Sequence, residues 1–341
     1  MEYRALGRTG VKVSALALGG MNFGPFGGTT QDEVTSIVRQ ALDAGVNVID
    51  TADVYSDGAS EELIGRALTG VSRSEVFLAT KFGLPFRGRS GCGGSRRWII
   101  EAVEASLRRL GTDYIDLYQM HRPDPDTDIG ETLAALTHLQ AQGKVRYIGS
   151  STFSGAEIVE AQWESERQSL ARFVCEQPPY SILARSVETE VLPTARKHGL
   201  GIMVWSPLAG GYLSGRYRPG AAAQPSHRDL VRMKMGRAAE AVPEDELKHR
   251  AAEELFGLAG EAGLSLIEMA LAFAIRHPAV TSATLGPRTV EQLQSQLPAA
   301  DVVLSDDVLD RIDQIVAPGR TLKPADDKAV SPALAAANRR R

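Results

Sequence analysis

Cysteine is nearly missing: the 341 residues hold two, Cys92 in a glycine-rich loop and Cys175 in a strand-like run. That is too few for the disulfide framework of a small secreted domain, and both thiols read as free. Long apolar runs are missing too. No segment approaches the roughly 18 consecutive apolar residues of a membrane span, and the opening MEYRALGRTGVKVSALALGG lacks the apolar stretch and cleavage site of a secretory signal. The expected location is the cytoplasm, with no membrane partner. A basic excess is also absent: 38 Lys and Arg stand against 42 Asp and Glu, a formal net charge of -4. Nucleic-acid binding driven by phosphate contacts is thereby disfavoured, and the terminal NRRR is too short to restore it.

What remains is an ordinary globular composition, 43% hydrophobic and 23% charged. Length admits two average domains, or one α/β barrel of about 250 residues with insertions. Apolar or β-branched runs occur at LALG (16–19), VNVID (46–50), VFLAT (76–80), YIDLYQ (114–119), VRYIGS (145–150), FVCEQ (173–177), GIMVWS (201–206) and TSATLG (281–286). Between them lie stripes of helical period, such as Val34, Ile37, Val38, Ala41 and Leu42, or Ile99, Val103, Leu107 and Leu110. Strands so regularly separated by helices imply parallel pairing through right-handed crossovers. The main rival, an open doubly wound sheet, usually announces a nucleotide by G-x-G-x-x-G after its first strand, and here that turn reads GGMNFG.

The expected fold is therefore α/β, a (β/α)8 TIM barrel over residues 1–317 as a single domain. It includes an N-terminal β-hairpin around GRTG and a closing helix at 305–316 with Ser305 as N-cap. Long loops at 83–95 and 216–245 follow strand C-terminal ends, the face where barrel enzymes carry their sites. Residues 318–341, rich in proline, alanine and charge, read as a loosely held tail.

Four polar residues fall at one rim of such a barrel: Asp50 at the end of the second strand, Tyr55 in the loop behind it, Lys81 after the third and His121 after the fourth. An ammonium beside a phenol favours phenolate and lowers its pKa. Lys81 is placed to act so on Tyr55, Asp50 to hold the ammonium, and His121 to hydrogen-bond a carbonyl oxygen or relay a proton. Such an arrangement is expected to suit the reduction of a carbonyl.

The segments NVIDTADVY, LATKFG, LYQMHRPDP, VRYIGSSTFS, EQPPYSIL, MVWSPLAGGYLSGRY and LGPRTVEQLQSQ together resemble the aldo-keto reductases, in the family's order, from residue 3 to about 316. The resemblance implies NADPH bound in extended form without a Rossmann motif, and hydride transfer from nicotinamide C4 to an aldehyde or ketone. Asp50, Tyr55, Lys81 and His121 match its catalytic tetrad, with Tyr55 as proton donor. Ser151, Thr152 and Gln177 match positions on the nicotinamide carboxamide, and Trp205 the stacking aromatic. Gly20, Met21 and Asp50 are further expected cofactor contacts. Ser206, Pro207, Leu208 and Gly210 match the pyrophosphate segment, with Arg216 where lysine is frequent. Gly286, Arg288, Gln292 and Gln296 match the adenosine-phosphate end, where a guanidinium suits a 2′-phosphate. No metal is expected. Thr152 and Gln296 replace common asparagines, and VYSDG replaces a frequent Tyr-Gly pair, leaving Ser56 and Asp57 at the mouth.

The expected partner is a small carbonyl substrate. Met21, Phe23, Phe26, Phe86 and Trp98 offer apolar walls, and Asp57, Arg87, Arg89 and Arg122 polar rims that suit a sugar, keto-sugar or sugar phosphate. Two alternatives stand beside the reductase. One is a redox-sensing accessory subunit of a potassium channel that binds NADPH with little turnover; the other is an aldolase with Lys81 as Schiff base.

Overall fold

Eight strands, neighbours in chain order with the last closing on the first, form one parallel barrel in a computed structural model that describes residues 1–86, 92–217 and 243–327. A hairpin of β1 (Tyr3–Ala5) and β2 (Lys12–Ser14) precedes it. The barrel strands are β3 (Leu16–Gly19), β4 (Val48–Asp50), β5 (Phe77–Phe82), β6 (Ile115–Met120), β7 (Val145–Ser151), β8 (Cys175–Gln177), β9 (Gly201–Val204) and β10 (Ser282–Leu285). They are buried almost throughout because both faces are covered, which is why they read as apolar runs rather than alternating ones.

Two apolar cores result. Ala17, Val48, Phe77, Ala79, Leu117, Cys175 and Met203 fill the barrel interior, and Leu6 and Val13 of the hairpin segment join them. Cys175 therefore serves packing. The larger core lies between the barrel wall and its helices. These include α1 (Gln31–Asp43), α2 (Ala59–Ala67), α3 (Arg96–Leu110), α4 (Ile129–Ala141), α5 (Gly155–Gln168) and α6 (Val191–His198), followed by α7 (Pro243–Glu261), α8 (Leu266–Arg276), α9 (Val290–Gln296) and α10 (Asp306–Ile315). Caps fix where several begin: Thr30, Ser154 and Ser265 form capping boxes with Glu33, Glu157 and Glu268, and Ser305 accepts from Val308 N as expected. No single helix among the described residues is long and apolar enough to cross a membrane.

The tail departs from expectation at its start. Residues 318–327 lie against the barrel: Thr321 bridges Ala184, Leu322 is buried, Lys323 meets Asp245 at 2.6 Å and Asp326 meets Lys248 at 2.5 Å. Ion pairs and main-chain bonds hold this strap, so no apolar period marks it. Residues 328–341 lie outside the described residues, as do 87–91 and 218–242 of the two long loops, and Arg87 and Arg89 with them.

Candidate active site

The side chains of Asp50 and Lys81 point into the barrel at its C-terminal end. Lys81 Nζ donates to Asp50 Oδ2 at 2.6 Å and to the Thr51 carbonyl at 2.8 Å, and stands 3.5 Å from the Tyr55 hydroxyl. An isolated ammonium so buried costs several kcal/mol, which these three contacts offset. Burial disfavours the charge on Lys81, yet Asp50 and Tyr55 outweigh it and hold the ammonium above its usual pKa. His121 meets Tyr55 edge to face, 5.7 Å between ring centres at 81°. Burial, then Lys81 and Arg122, hold its imidazole well below the usual value, so it is neutral at pH 7. Its Nδ1 is buried without a hydrogen-bond partner among the described residues.

Tyr55 corrects one expectation. Burial pushes its phenol up, Lys81 pulls it down by less, and it ends above the ordinary tyrosine value. The reason is geometric: 3.5 Å is a long contact, and Asp50 sits against the same ammonium and cancels much of its field. Tyr55 is thus a protonated phenol at neutral pH.

Asp50 Oδ1 accepts from two amides, Gln177 at 2.9 Å and Gln119 at 3.3 Å. Gln119 is an addition to the expected set. Its signal is strand alternation, since it stands two places before His121 and faces the same way. The Ser151 hydroxyl donates to the Gln177 carbonyl at 2.9 Å, and Thr152 N donates to the same carbonyl at 3.2 Å. Trp205 is anchored beside them by its main-chain N–H, which donates to Pro178 O at 3.0 Å.

The expected cofactor positions extend from there along the rim. Gly20 N donates to Asp50 O at 2.7 Å, and a Cβ on Gly20 would come within 2.8 Å of both Ile64 and the Ser60 hydroxyl. Met21 beside it is exposed. Ser206, Pro207 and Leu208 continue from Trp205, and Gly210 is exposed with open space where a side chain would stand. Asn22 Nδ2 donates to Gly286 O at 2.7 Å, and Arg288 N donates to Gln292 Oε1 at 2.8 Å. Arg216 is close enough to Arg288 that, after burial, its charge lowers the Arg288 guanidinium pKa.

These residues fit a nicotinamide dinucleotide on two grounds. Buried polar atoms without a partner among the described residues occur along the rim, at His121 Nδ1, Trp205 Nε1, Gln119 Oε1, Asn22 Oδ1 and Gln296 Oε1. Left-handed backbone gathers there too: of the six non-glycine residues so placed among the described residues, Thr152, Ser206, Ala209, Ser56 and Asp57 lie in rim loops, and Ser169 only ends a helix. Each costs about 1–3 kcal/mol, and such strain concentrates at functional sites.

Other expected walls fall elsewhere. Phe23 is sealed in the core, while Phe86 and Trp98 line a cavity of about 430 Å³ with Asp53, Arg109 and outer residues of α3, on the helix side of the barrel wall. The Ser56 hydroxyl donates to Phe23 O at 2.8 Å and accepts from Phe26 N at 3.2 Å, tying the loop after β3 to the Tyr55 turn.

Residues 15–317 match the model of the aldo/keto reductase family. The chain belongs to that family. Aldo/keto reductases are oxidoreductases that act on small carbonyl compounds and generally use NAD(P)H. Among relatives, an uncharacterized oxidoreductase, YrpG, of Bacillus subtilis (strain 168) is 40% identical over 92% of this chain and 96% of its own length. A probable voltage-gated potassium channel subunit beta of Arabidopsis thaliana is 38% identical over 93% of this chain and 97% of its own. A putative subunit of that name from Schizosaccharomyces pombe (strain 972 / ATCC 24843) is 35% identical over 93% of both chains.

Proposed function

We propose that this aldo/keto reductase reduces an aldehyde or ketone to the alcohol with NADPH. The observation that carries the reading is the buried Asp50–Lys81 pair beneath the Tyr55 hydroxyl, with neutral His121 at the edge of the same ring. Bound NADPH would supply the hydride from nicotinamide C4; the remaining work falls to the chain's own groups. Tyr55 keeps its proton at neutral pH and gives it to the carbonyl oxygen. Lys81, kept charged by Asp50, then stabilises the phenolate left behind. His121, being uncharged, hydrogen-bonds the same oxygen and orients it.

Ser151, Thr152, Gln177 and Asp50 would hold the carboxamide end, and Trp205 the nicotinamide face. Gly20, Met21, Ser206, Pro207, Leu208 and Gly210 would flank the pyrophosphate. Gly286, Gln292 and Gln296 would meet the adenosine, with Arg216 and Arg288 on a 2′-phosphate, which favours NADPH over NADH.

Purified protein is expected to oxidise NADPH with 4-nitrobenzaldehyde. Tyr55→Phe is expected to bind NADPH, read by its fluorescence, and to lose about 10²–10⁴-fold in kcat. Tight NADPH binding without turnover across aldehydes, ketones and keto-sugars sinks the reductase reading. It supports instead a redox-sensing subunit, which the relatives named as channel subunits favour. A Schiff-base aldolase is disfavoured because Asp50 keeps Lys81 protonated and so non-nucleophilic.

A further inference from the structure

Arg122 follows His121 at the end of β6, and nothing in the proposed reaction uses its charge. Its Nη1 donates to the His121 carbonyl at 2.6 Å and stands 3.4 Å from the Ser151 hydroxyl. The guanidinium carbon lies 5.7 Å from the centre of the Trp205 ring. Half-buried among these groups, Arg122 has no carboxylate at ion-pair distance among the described residues. Glu176, whose charge it senses, is committed elsewhere: its carboxylate accepts from the Ser150 hydroxyl and from Phe153 N, and burial pushes it up to about 7. Both hydrogen bonds of Arg122 use Nη1, which leaves the Nε–Nη2 edge of the fork. That edge is the one that grips a planar oxyanion with two parallel bonds.

A desolvated cation without a counter-ion is costly, and this one is kept beside Tyr55, His121 and Trp205, the groups that would surround the reacting carbonyl. The phosphates of NADPH do not account for it. Of the basic pair proposed for them, Arg288 senses the charge of Arg216, whereas Arg122 senses Tyr55 and Glu176, so the rim carries two separate basic centres.

We propose that Arg122 binds an anionic group of the substrate, so that the preferred substrates are carbonyl compounds carrying a carboxylate or phosphate near the reacting carbon. The proposal rests on the reductase reading, and its test separates the two. kcat and KM are measured with saturating NADPH for 4-carboxybenzaldehyde against 4-nitrobenzaldehyde, and for glyceraldehyde 3-phosphate against glyceraldehyde. The wild type is expected to prefer the charged member of at least one pair, and that pair identifies the oxyanion. In Arg122→Gln the charged-to-neutral ratio of kcat/KM is expected to fall about tenfold or more, mainly through KM, because each factor of ten is one lost interaction of modest size. Arg122→Lys should recover part of it, and added salt should raise KM for the charged substrate in the wild type but not in Arg122→Gln.

Parallel losses on charged and neutral aldehydes overturn the proposal, since they mean that Arg122 only positions Ser151 and Trp205. So does a wild type with no preference in either pair. If no aldehyde oxidises NADPH, the reductase reading fails, and Arg122 is judged by binding alone, through the fluorescence of protein-bound NADPH titrated with benzoate and with benzamide. Benzoate binding that disappears in Arg122→Gln sustains the anion site; benzoate binding no better than benzamide removes it.

Discussion

Asp50 and Asp53, close in sequence, face opposite sides of the barrel wall. Asp50 points inward to Lys81, Gln119 and Gln177, and its aim was legible because strand alternation and the C-terminal rim decide it. Asp53 lies in the layer between wall and helices, where neither carboxylate oxygen has a hydrogen-bond partner of good geometry among the described residues. Burial and then Glu61 push its pKa up to about 8, against the pull of Arg109 and Lys81, and the buried Tyr118 hydroxyl of β6 is near enough to sense its charge. None of this was legible, because Glu61 comes from α2, Arg109 from α3, Lys81 from β5 and Tyr118 from β6, and only folding brings them together. The unfolded chain sheds this proton near pH 4 and the native chain near pH 8. Between those values the native state binds more protons, so stability falls as pH rises and the loss is complete above the folded pKa. Asp53→Asn cannot titrate. It is expected to melt higher than the wild type at pH 8, with the gain shrinking towards pH 5. Parallel melting-temperature curves for the two proteins from pH 5 to 8 would falsify a protonated Asp53.

At the scale of elements, the eight strands were legible because burial on both faces writes each as an apolar run between helical stripes. The cap of the last helix was legible from Ser305 and the two aspartates after it. α8 was not, and the reason is its position: Leu266, Met269, Ala270, Leu271, Ala272, Phe273, Ala274 and Ile275 are all buried, so no polar face gives it a period. The strap at 318–327 escaped for the opposite reason, being held by charges and main chain. Arg185 ties it in. The guanidinium donates to Glu188 at 2.9 Å, to Asp313 of α10 at 2.7 Å and to Val316 O at 2.7 Å, and it lies over Phe273 of α8. Its main-chain N donates to Arg320 O at 3.2 Å. Glu188 also accepts from Gly319 N, so removing the guanidinium disturbs the carboxylate on which the strap rests. Arg185→Met is expected to lower unfolding free energy by about 3–5 kcal/mol, as breaking a buried ion pair does. Urea unfolding reads this directly, and a loss below about 1 kcal/mol, the worth of an exposed pair, means that the strap holds without Arg185.

At the scale of the whole molecule, closure of the barrel sets the first strand beside the last, pairing Leu16, Ala17 and Leu18 with Ala283, Thr284 and Leu285. The sequence pattern predicts that neighbourhood, because eight strand–helix units leave β3 and β10 to meet. It brings Asn22 against Gly286, so residues from both ends of the chain meet at one place on the rim. The approach of Arg216 to Arg288 is another matter, since Arg216 lies in the loop beyond β9, whose path no strand register fixes. Two guanidiniums within reach of each other repel, and an anion bound beside them relieves that cost. A 2′-phosphate is such an anion, and it is the only group by which NADPH differs from NADH. Arg288→Ala is therefore expected to raise the Kd for NADPH about tenfold or more while changing that for NADH far less, since loss of one charge-assisted contact is worth at least one factor of ten. Fluorescence titration of both cofactors, at low and at high salt, checks it. The NADPH affinity of the wild type should fall more steeply with salt than that of Arg288→Ala, because an exposed charge contact is screened. Equal weakening of both cofactors would instead put Arg288 on the part they share, and a preference for NADPH would then have to come from Arg216 alone.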